Sequence, residues 1–373
     1  MTPPSNDYVS GWQTAAGFGV YVHIPFCAKR CDYCAFATWT DRHHLTQRYV
    51  DAVIAQMSSS VDAGLPAATS VFFGGGTPSM IPAESLMAIL DAIPLDASLG
   101  GEVEVTVECN PDTVTAELLD TYAARGVTRL SFGVQSMVPH VLASLGRTHD
   151  PDNVRRSVSL ARAAGFTSFN LDLIYGAAGE SLEDWRHTVE AVLELDPPHI
   201  SAYALTIEAG TPLASDVARH PDDDLQADCY EIADEMFAGA GRINYEISNW
   251  ARVGHECRHN LLYWRQGDYL GVGCAAHSHR DGRRWWNVRT PERYCDLVES
   301  GGSPEGAHED LGLDERRLEG LQLALRMSDG VPIDAIDVDG LDDLDGLVTV
   351  EGGRVRLTRA GRLMANEVSM RLR

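Results

Sequence analysis

Three cysteines near the start of the chain have the spacing of a metal-binding segment. They are Cys27, Cys31 and Cys34, separated by three and then two residues. Thiolates are soft ligands that suit zinc or an iron–sulfur cluster. A structural zinc site takes four protein ligands, and His23 is the only other candidate close in sequence. Three thiolates on a cubane cluster would leave one iron open for an exchangeable ligand. The spacing therefore favours an iron–sulfur cluster, with zinc or no metal as the alternatives.

The other cysteines do not suggest a disulfide framework. Disulfide-rich proteins are typically short secreted chains, whereas this chain has 373 residues. The first basic residue is Lys29, so no charged segment of a signal or transit peptide precedes it. Cys109 and Cys274 have apolar neighbours, as expected of buried core residues. We expect a cytoplasmic protein in a reducing compartment.

Charge and composition argue against several classes of function. The 30 Lys and Arg residues face 54 Asp and Glu residues, which gives a formal charge of −24. A hydrophobic fraction of 44% is ordinary for a globular protein. The acidic surplus argues against a broad surface for nucleic acid or for an anionic membrane. No run approaches the roughly 18 apolar residues of a membrane-spanning helix. We therefore expect no nucleic-acid partner.

Strand and helix patterns alternate over the first 245 residues. Strand patterns lie at 20–26, 69–73, 103–108, 129–134, 167–174 and 199–207. Helical patterns lie near 43–63, 82–92, 115–125, 151–164, 181–195 and 222–240. Six β/α units in a row predict parallel strands with crossover helices, in an incomplete barrel or a doubly wound sheet. In both folds, ligands bind at the C-terminal ends of the strands.

The change of pattern after about residue 245 predicts four segments. They are a flexible lead (1–17), a core domain (18–248), an aromatic and His-rich connector (249–307) and a small C-terminal domain (308–373). The last segment has helical patterns at 314–327 and 332–345, two strands around a Gly-Gly turn and a final helix over 359–371, as in a winged helix. Residues 309–345 hold 12 acidic and 3 basic side chains, which disfavours DNA binding.

The residues around the cysteine triplet carry a family resemblance. The Cys-x3-Cys-x2-Cys segment, with Tyr33 before its last cysteine, resembles the signature of the radical S-adenosyl-L-methionine (SAM) superfamily. Further motifs occur in family order at 21–26, 73–78, 107–111, 131–136, 145–149, 169–176 and 203–212. Over about residues 18–373 the chain resembles the oxygen-independent coproporphyrinogen III dehydrogenase family and its HemW-type haem-chaperone relatives. The resemblance implies an α/β fold, a partial (β/α)6 barrel with a small winged-helix-like C-terminal domain.

The same resemblance implies cofactors and the residues that bind them. Cys27, Cys31 and Cys34 would hold a [4Fe–4S] cluster, and Tyr21, Gly75 and Glu108 would contact the SAM at its open iron. The positions that contact a second SAM in the dehydrogenase match Tyr33, Gly76, Thr77, Gln135, Arg147 and Asp172. These six side chains could serve a second SAM or another ligand. The glycines at the end of a strand would allow close backbone approach and offer bare N–H groups.

Two features favour the chaperone over the dehydrogenase. The dehydrogenase usually has a further cysteine two residues after the third, whereas this chain and the HemW-type branch have a phenylalanine, here Phe36. That branch also has an H-N-x-x-Y-W motif, which here begins at His259 and ends at Trp264. Histidine is a common haem ligand, and aromatic rings pack on porphyrins. We therefore expect haem binding in this region, with His259 as a candidate iron ligand.

The preferred interpretation is a haem chaperone, in which no catalytic residue is assigned. The alternatives are an enzyme that oxidatively decarboxylates coproporphyrinogen III, against which Phe36 argues, and a radical SAM enzyme with another substrate. The implied partners are haem, a haem-acceptor protein and an electron donor. The resemblance also allows a homodimer, and peripheral membrane contact is open because a peripheral protein needs no spanning segment.

Overall fold

One long mixed sheet, with seven parallel strands at its centre, forms the main part of the fold. The computed structural model describes residues 17–99, 103–336, 341 and 344–371. The strands of this sheet, in chain order, are β1 (Phe18–Ile24), β2 (Ser70–Gly75), β3 (Glu104–Cys109), β4 (Arg129–Gln135), β5 (Phe169–Tyr175), β6 (His199–Ala204), β7 (Ile243–Glu246), β8 (Asn249–Ala251), β9 (Asp268–Val272), β10 (His277–Arg280), β11 (Arg283–Asn287) and β12 (Glu305–Asp310).

Helices connect the strands, and several of them begin at a polar side chain that caps the first turn. They are α1 (Thr46–Asp62), α2 (Ala83–Asp91), α3 (Ala116–Ala124), α4 (Pro139–Ser144), α5 (Pro151–Ala163), α6 (Leu182–Glu194), α7 (Asp223–Gly239), α8 (Arg258–Trp264), α9 (Pro291–Glu299), α10 (Leu313–Ala324), α11 (Arg359–Leu363) and α12 (Ala365–Arg371). Helix α6 begins at a capping box. The Ser181 hydroxyl accepts from the Asp184 N–H (3.1 Å), and the Asp184 carboxylate accepts from the Ser181 N–H (2.9 Å). This box satisfies two N–H groups that would otherwise lack partners, so it sets where the helix starts.

The strand order decides between the two predicted folds. A doubly wound sheet reverses its strand order at a switch point. Here β1 to β6 are neighbours in chain order, and β9 lies parallel to β1 on the other side. The sheet then continues through β10, β11 and β12 at one end and through β8 and β7 at the other. The predicted partial (β/α)6 barrel is confirmed.

The six strands of the barrel have one apolar and one polar face. On β4, the alternate residues Leu130, Phe132 and Val134 are fully buried in the core that also contains helix residues. The intervening Arg129 and Ser131 face the barrel interior and line its cavity. Side chains alternate between the two faces of a strand, so one face can pack under helices while the other forms a site. The inner face of the barrel therefore presents polar side chains to the cavity.

The segment 249–307, which shows no clear periodicity in the sequence, extends the same sheet. It contains all or part of β8 to β12, together with α8 and α9. These elements have three to nine residues each, too few to give a strong periodic signal. Strands β9 to β12 therefore form a wall beside β1, whereas β8 lies beside β6 at the other end of the sheet. The boundary drawn at residue 248 stays a prediction.

The C-terminal residues form a small sheet of β13 (Val331–Pro332), β14 (Val348–Glu351) and β15 (Arg354–Leu357), with α10 to α12 beside it. The helix predicted over 332–345 is wrong in its described part, which contains Pro332 in an extended conformation and a 3-10 helix at Ile333–Ala335. A proline favours an extended residue before it, and Val331 pairs with β15 instead of starting a helix. Part of that predicted helix lies outside the described residues, namely 337–340 and 342–343. The same holds for residues 1–16 of the predicted lead.

The final helix predicted over 359–371 is interrupted at Met364, where α11 ends and α12 follows. Helix α11 is held to helix α7 by ion pairs with Asp234. The Asp234 carboxylate lies 2.7 Å from Arg359 Nε and 2.9 Å from Arg362 Nη2, and it also accepts from the Trp250 indole N–H. None of the helices within the described ranges is both long and apolar enough to cross a membrane.

Candidate cofactor-binding cavity

The loop that carries the three cysteines follows the C-terminal end of β1. Its two ends are joined, since Cys27 N–H donates to Trp39 O (3.1 Å) and Trp39 N–H donates to Pro25 O (2.7 Å). In the middle of the loop, Asp32 N–H donates to Leu145 O and Asp32 O accepts from Leu213 N–H. The loop is thus fixed over the strand ends, where the fold was expected to bind ligands.

The three thiols are free, half-buried and close to hydrogen-bond donors. Thr77 Oγ1 lies 3.6 Å from Cys27 Sγ, and Arg147 Nη1 lies 3.6 Å from Cys31 Sγ. Burial raises the pKa of the Cys27 and Cys34 thiols. A hydroxyl and a guanidinium aimed at sulfur stabilise the thiolate form that a metal requires.

The described donor groups do not form a site for a single metal ion. Within the described ranges, no three His, Cys, Asp or Glu side chains converge closely enough to hold one metal ion. Zinc requires such convergence, whereas cysteines that bind a [4Fe–4S] cluster bind separate irons. The proposed fourth zinc ligand, His23, is also engaged. Its Nε2 lies 2.9 Å from Ala37 O and its Nδ1 lies 3.1 Å from the Tyr21 hydroxyl.

A cavity of about 730 Å³ lies beside this loop, at the open end of the barrel. One wall consists of barrel-strand residues, and the opposite wall comes from α8, β9 to β11 and α10. Of the predicted cofactor residues, five line the cavity: Tyr21, Gly75, Glu108, Asp172 and His259. The other five are not part of its lining: Tyr33, Gly76, Thr77, Gln135 and Arg147.

Three of these other residues contact the cysteine loop itself. Thr77 and Arg147 donate to cysteine sulfurs, and Tyr33 lies on the loop, packed against an apolar cluster that includes Leu145 and Leu213. The structure therefore places five of the ten predicted residues at the cavity and three at the cysteine loop.

Glu108 is the acidic group of the cavity nearest to the glycine turn. Its Oε2 accepts from the Gly75 N–H at 3.1 Å. Burial, together with the nearby Asp172 carboxylate, raises the pKa of Glu108 to about 8. The carboxyl is therefore largely protonated at neutral pH until a cationic or donor group of a ligand faces it.

The glycines at the end of β2 allow close approach of the backbone to neighbouring atoms. Their N–H groups were predicted to be bare, but in the structure they have partners. The Gly75 N–H donates to Glu108, and the Gly76 N–H donates to Ile24 O at 2.7 Å. Gly75 has φ +106°, and a Cβ there would lie 2.4 Å from the His23 ring. A Cβ on Gly76 would lie 2.7 Å from Ile24 O. The glycines thus let the end of β2 approach the end of β1 directly beside the cysteine loop.

This packing predicts that Gly75→Ala destabilises the chain more than Gly64→Ala. Both glycines have positive φ, at +106° and +86°, but only Gly75 has atoms within 4 Å of the added methyl group. The shared backbone strain costs about 1–3 kcal/mol, and overpacking at Gly75 adds about 1–3 kcal/mol. Urea unfolding of the two variants measures the difference. Equal losses of unfolding free energy would contradict the role given to the His23 contact.

Strand β4 ends in a distorted conformation next to the cysteine loop. Gln135 has φ +64°, and the register with β5 shifts between Gly133 and Gln135. Arg147 Nη2 donates to the Gly133 carbonyl at 2.7 Å, which links this bulge to the guanidinium that contacts Cys31. The Arg147 Nε is buried without a partner in the described part of the chain. Such strained backbone and unsatisfied donors are typical of ligand sites.

A network of hydrogen bonds holds the Asp172 carboxylate in place. Ser131 Oγ donates to Asp172 Oδ2 (2.8 Å), and the Asn170 amide lies 2.7 Å from Asp172 Oδ1. His199 Nδ1 in turn lies 2.7 Å from Asn170 Oδ1. Sequence reasoning missed Ser131, Asn170 and the cavity-lining Arg129. Their sequence pattern could have indicated them, because polar residues at alternate positions of otherwise apolar strands share one face of the sheet.

His259 lies on α8 at the boundary of the cavity, and both of its ring nitrogens are engaged. Nδ1 lies 2.9 Å from Ser70 Oγ, and Nε2 lies 2.7 Å from the Tyr263 hydroxyl. The ring stacks on Phe72, with centroids 5.4 Å apart. Burial lowers the pKa of His259 to about 3. In this conformation His259 positions the α8 wall, and its role as an iron ligand stays a prediction.

Comparison with known proteins agrees with this architecture. The family model of the radical SAM superfamily matches residues 21–192. The heme chaperone HemW of Mycobacterium tuberculosis is 40% identical over 369 residues, which cover 94% of this chain and 93% of the relative. The chain belongs to the HemW family. The radical SAM match over residues 21–192 implies SAM and a [4Fe–4S] cluster. The cysteine spacing favours the cluster, and SAM is what the family resemblance implies.

Other HemW relatives and a solved structure extend the comparison. The heme chaperone HemW of Escherichia coli is 39% identical, and the match covers 69% of each chain. That of Bacillus subtilis is 34% identical over 93% of this chain and 97% of its own. The structure of coproporphyrinogen III oxidase (HemN) from Escherichia coli, a radical SAM enzyme, matches with a TM-score of 0.82. At 24% identity, over 95% of this chain and 89% of that one, this likeness shows the shared fold.

Proposed function

We propose that this chain is a haem chaperone, which binds haem in the cavity and transfers it to an acceptor protein. The observation that carries the proposal is the composition of the cavity. Its barrel wall presents the carboxyls of Glu108 and Asp172 beside the cysteine loop. Its opposite wall presents the aromatic Tyr263 and Tyr269 and the imidazole of His277. The second wall suits a flat apolar ligand with a metal centre, and the name shared by the HemW relatives supports haem as that ligand.

The cysteine loop and the barrel wall would hold the cluster and SAM. Cys27, Cys31 and Cys34 supply the thiolates, which Thr77 and Arg147 stabilise by donating to sulfur. A SAM-binding cluster supplies one-electron chemistry when it is bound. Ligand contacts at Tyr21, Gly75 and Glu108 would orient SAM, with the Gly75 N–H holding the Glu108 carboxyl in place.

Phe36 and its surroundings argue against the dehydrogenase alternative. This side chain is 63% exposed and lines the cavity, at the position where the dehydrogenase usually carries a further cysteine. A single exposed apolar residue is common on protein surfaces, but Phe36 also lines the cavity and so lies within reach of a bound ligand. We propose that Phe36 contributes to haem or acceptor contact, and we assign no residue to decarboxylation.

Haem titration of the full-length chain, reconstituted under anaerobic conditions, tests this proposal. The Soret band should change saturably, with an end point at about one haem per chain, because such cavities are few per protein. In a parallel sample with SAM, a reductant and coproporphyrinogen III, no protoporphyrinogen IX should form. Absence of saturable haem binding, or product formed at enzymatic turnover, would overturn the proposal in favour of the dehydrogenase or another radical SAM enzyme.

A further inference from the structure

The wall opposite the barrel contains one histidine whose ring is open to the cavity. His277 is the first residue of β10, it is exposed, and it lines the cavity. Its ring stacks on Trp286 of the neighbouring strand, with centroids 5.4 Å apart and planes at 24°. Stacking on a large indole fixes the ring orientation while both nitrogens stay available. In the ranges that the structure describes, burial and two nearby charged side chains affect the His277 ring, and no hydrogen bond to either nitrogen is present.

The other histidines of the cavity are engaged through both nitrogens. The bonds of His23 and His259 are described above. His279 Nδ1 lies 3.0 Å from Gly267 O, and its Nε2 accepts from the Gly282 N–H at 3.2 Å. Each of these rings would have to break a buried hydrogen bond to bind a metal, which leaves a buried partner unsatisfied at a cost in free energy. His277 could bind an iron without such a cost.

The charge around His277 favours a neutral imidazole. Partial burial and the positive charge of Arg284 lower its pKa. A neutral imidazole is the form that ligates metals. Arg284 itself is paired, since it contacts Glu319 and lies 2.6 Å from Glu309 Oε1. It therefore influences the imidazole without being available to a ligand anion.

A second cationic group of the same wall is unpaired. Arg289 is exposed and lines the cavity, and no carboxylate lies within 4.0 Å of it among the described residues. The backbone ladder places it near His277, because Val288 O accepts from Ala275 N–H at 3.0 Å while Trp286 pairs with His277. An imidazole and a free guanidinium thus face one cavity from adjacent backbone segments.

We propose that His277 is an axial ligand of the haem iron and that Arg289 binds a haem propionate. This inference rests on the proposed haem binding and assigns the residues that perform it. Iron–imidazole ligation fixes the porphyrin against the β10–β11 wall, and the guanidinium fixes its rotation by a charge-assisted hydrogen bond. The two contacts involve only exposed groups at the cavity mouth, so haem could leave toward an acceptor without unfolding the barrel.

Spectroscopic titration of His277→Ala tests the iron ligand. We expect the haem dissociation constant to rise about tenfold or more and the Soret band to shift toward that of weakly ligated haem. Added imidazole should restore the wild-type spectrum, a rescue that a merely structural role would not show. His187→Ala, an exposed histidine on α6, is the control and should leave the spectrum unchanged. Circular dichroism and the Tm check that each variant folds.

The outcomes separate this inference from the proposed function. If wild-type chain binds haem and His277→Ala has the same spectrum and affinity, the ligand assignment is wrong while haem binding stands. If the wild-type chain binds no haem, both fall. For Arg289→Glu, we expect weaker binding of haem and unchanged binding of haem dimethyl ester, whose propionates carry no charge. Equal weakening with both porphyrins would overturn the propionate contact.

Discussion

Cys31→Ser should remove the iron–sulfur cluster from the reconstituted chain. A hydroxyl is a poor substitute for thiolate on iron, and the triplet has no fourth cysteine in the loop that could replace it. Iron bound after anaerobic reconstitution should fall from about four atoms per chain to nearly none, with loss of the broad iron–sulfur absorption. Colorimetric iron analysis and absorption spectra measure both quantities.

The matched control is Cys295→Ser. Cys295 is a buried thiol on α9, away from the cavity, so this variant should keep the full iron content after a modest loss of stability. If Cys31→Ser retained wild-type iron, or if Cys295→Ser lost as much, the assignment of the cluster to the triplet would be contradicted.

Glu108→Gln should weaken SAM binding by about tenfold to a hundredfold. The loss corresponds to roughly 1.5–3 kcal/mol for a hydrogen bond to a charged group. The amide oxygen can still accept from the Gly75 N–H, so the fold is kept while the negative charge is removed. Calorimetric titration of the reconstituted chain measures the affinity. Glu190→Gln, an exposed substitution on α6, is the control and should bind SAM as wild type does.

The same variant should show a defined pH dependence of stability without SAM. The pKa of Glu108 is about 8 in the folded chain, against 4.5 for an ordinary glutamate, because the site is buried and lies near Asp172. Between these values the folded state binds more protons than the unfolded state, so Glu108 lowers the unfolding free energy as the pH rises. Glu108→Gln removes this contribution. Its stability relative to wild type should therefore increase from pH 5 to pH 8, and a constant or falling difference would contradict the raised pKa.

The fold was largely predictable because its signals are local. The strand patterns coincide with β1 to β6 within a few residues, since apolar runs between capped helices are independent of distant contacts. The choice of a barrel over a doubly wound sheet needed the strand order, which no local pattern contains. The strands β7 to β12 were not predicted, because elements of three to six residues are specified by their pairing partners.

The site was predictable in its residue types and less so in its geometry. The cysteine spacing and the family motifs indicated the loop and five of the cavity-lining residues. The N–H groups of Gly75 and Gly76 find hydrogen-bond partners within the protein. This could not be predicted, because it depends on how closely β2 approaches β1. Likewise, the engagement of both His259 nitrogens depends on Ser70 and Tyr263, one of which is distant in sequence. Hydrogen-bond partners of this kind become visible only when the strands are assembled.

Transfer of haem to an acceptor tests the chaperone proposal most directly. The haem-loaded chain is mixed with an excess of the apo form of a b-type cytochrome, and the Soret change is followed by stopped flow. Direct transfer predicts a rate that rises with acceptor concentration and exceeds the rate of haem release to apomyoglobin, which captures free haem. A rate that is the same for both acceptors and independent of their concentration would show passive release and contradict the proposal.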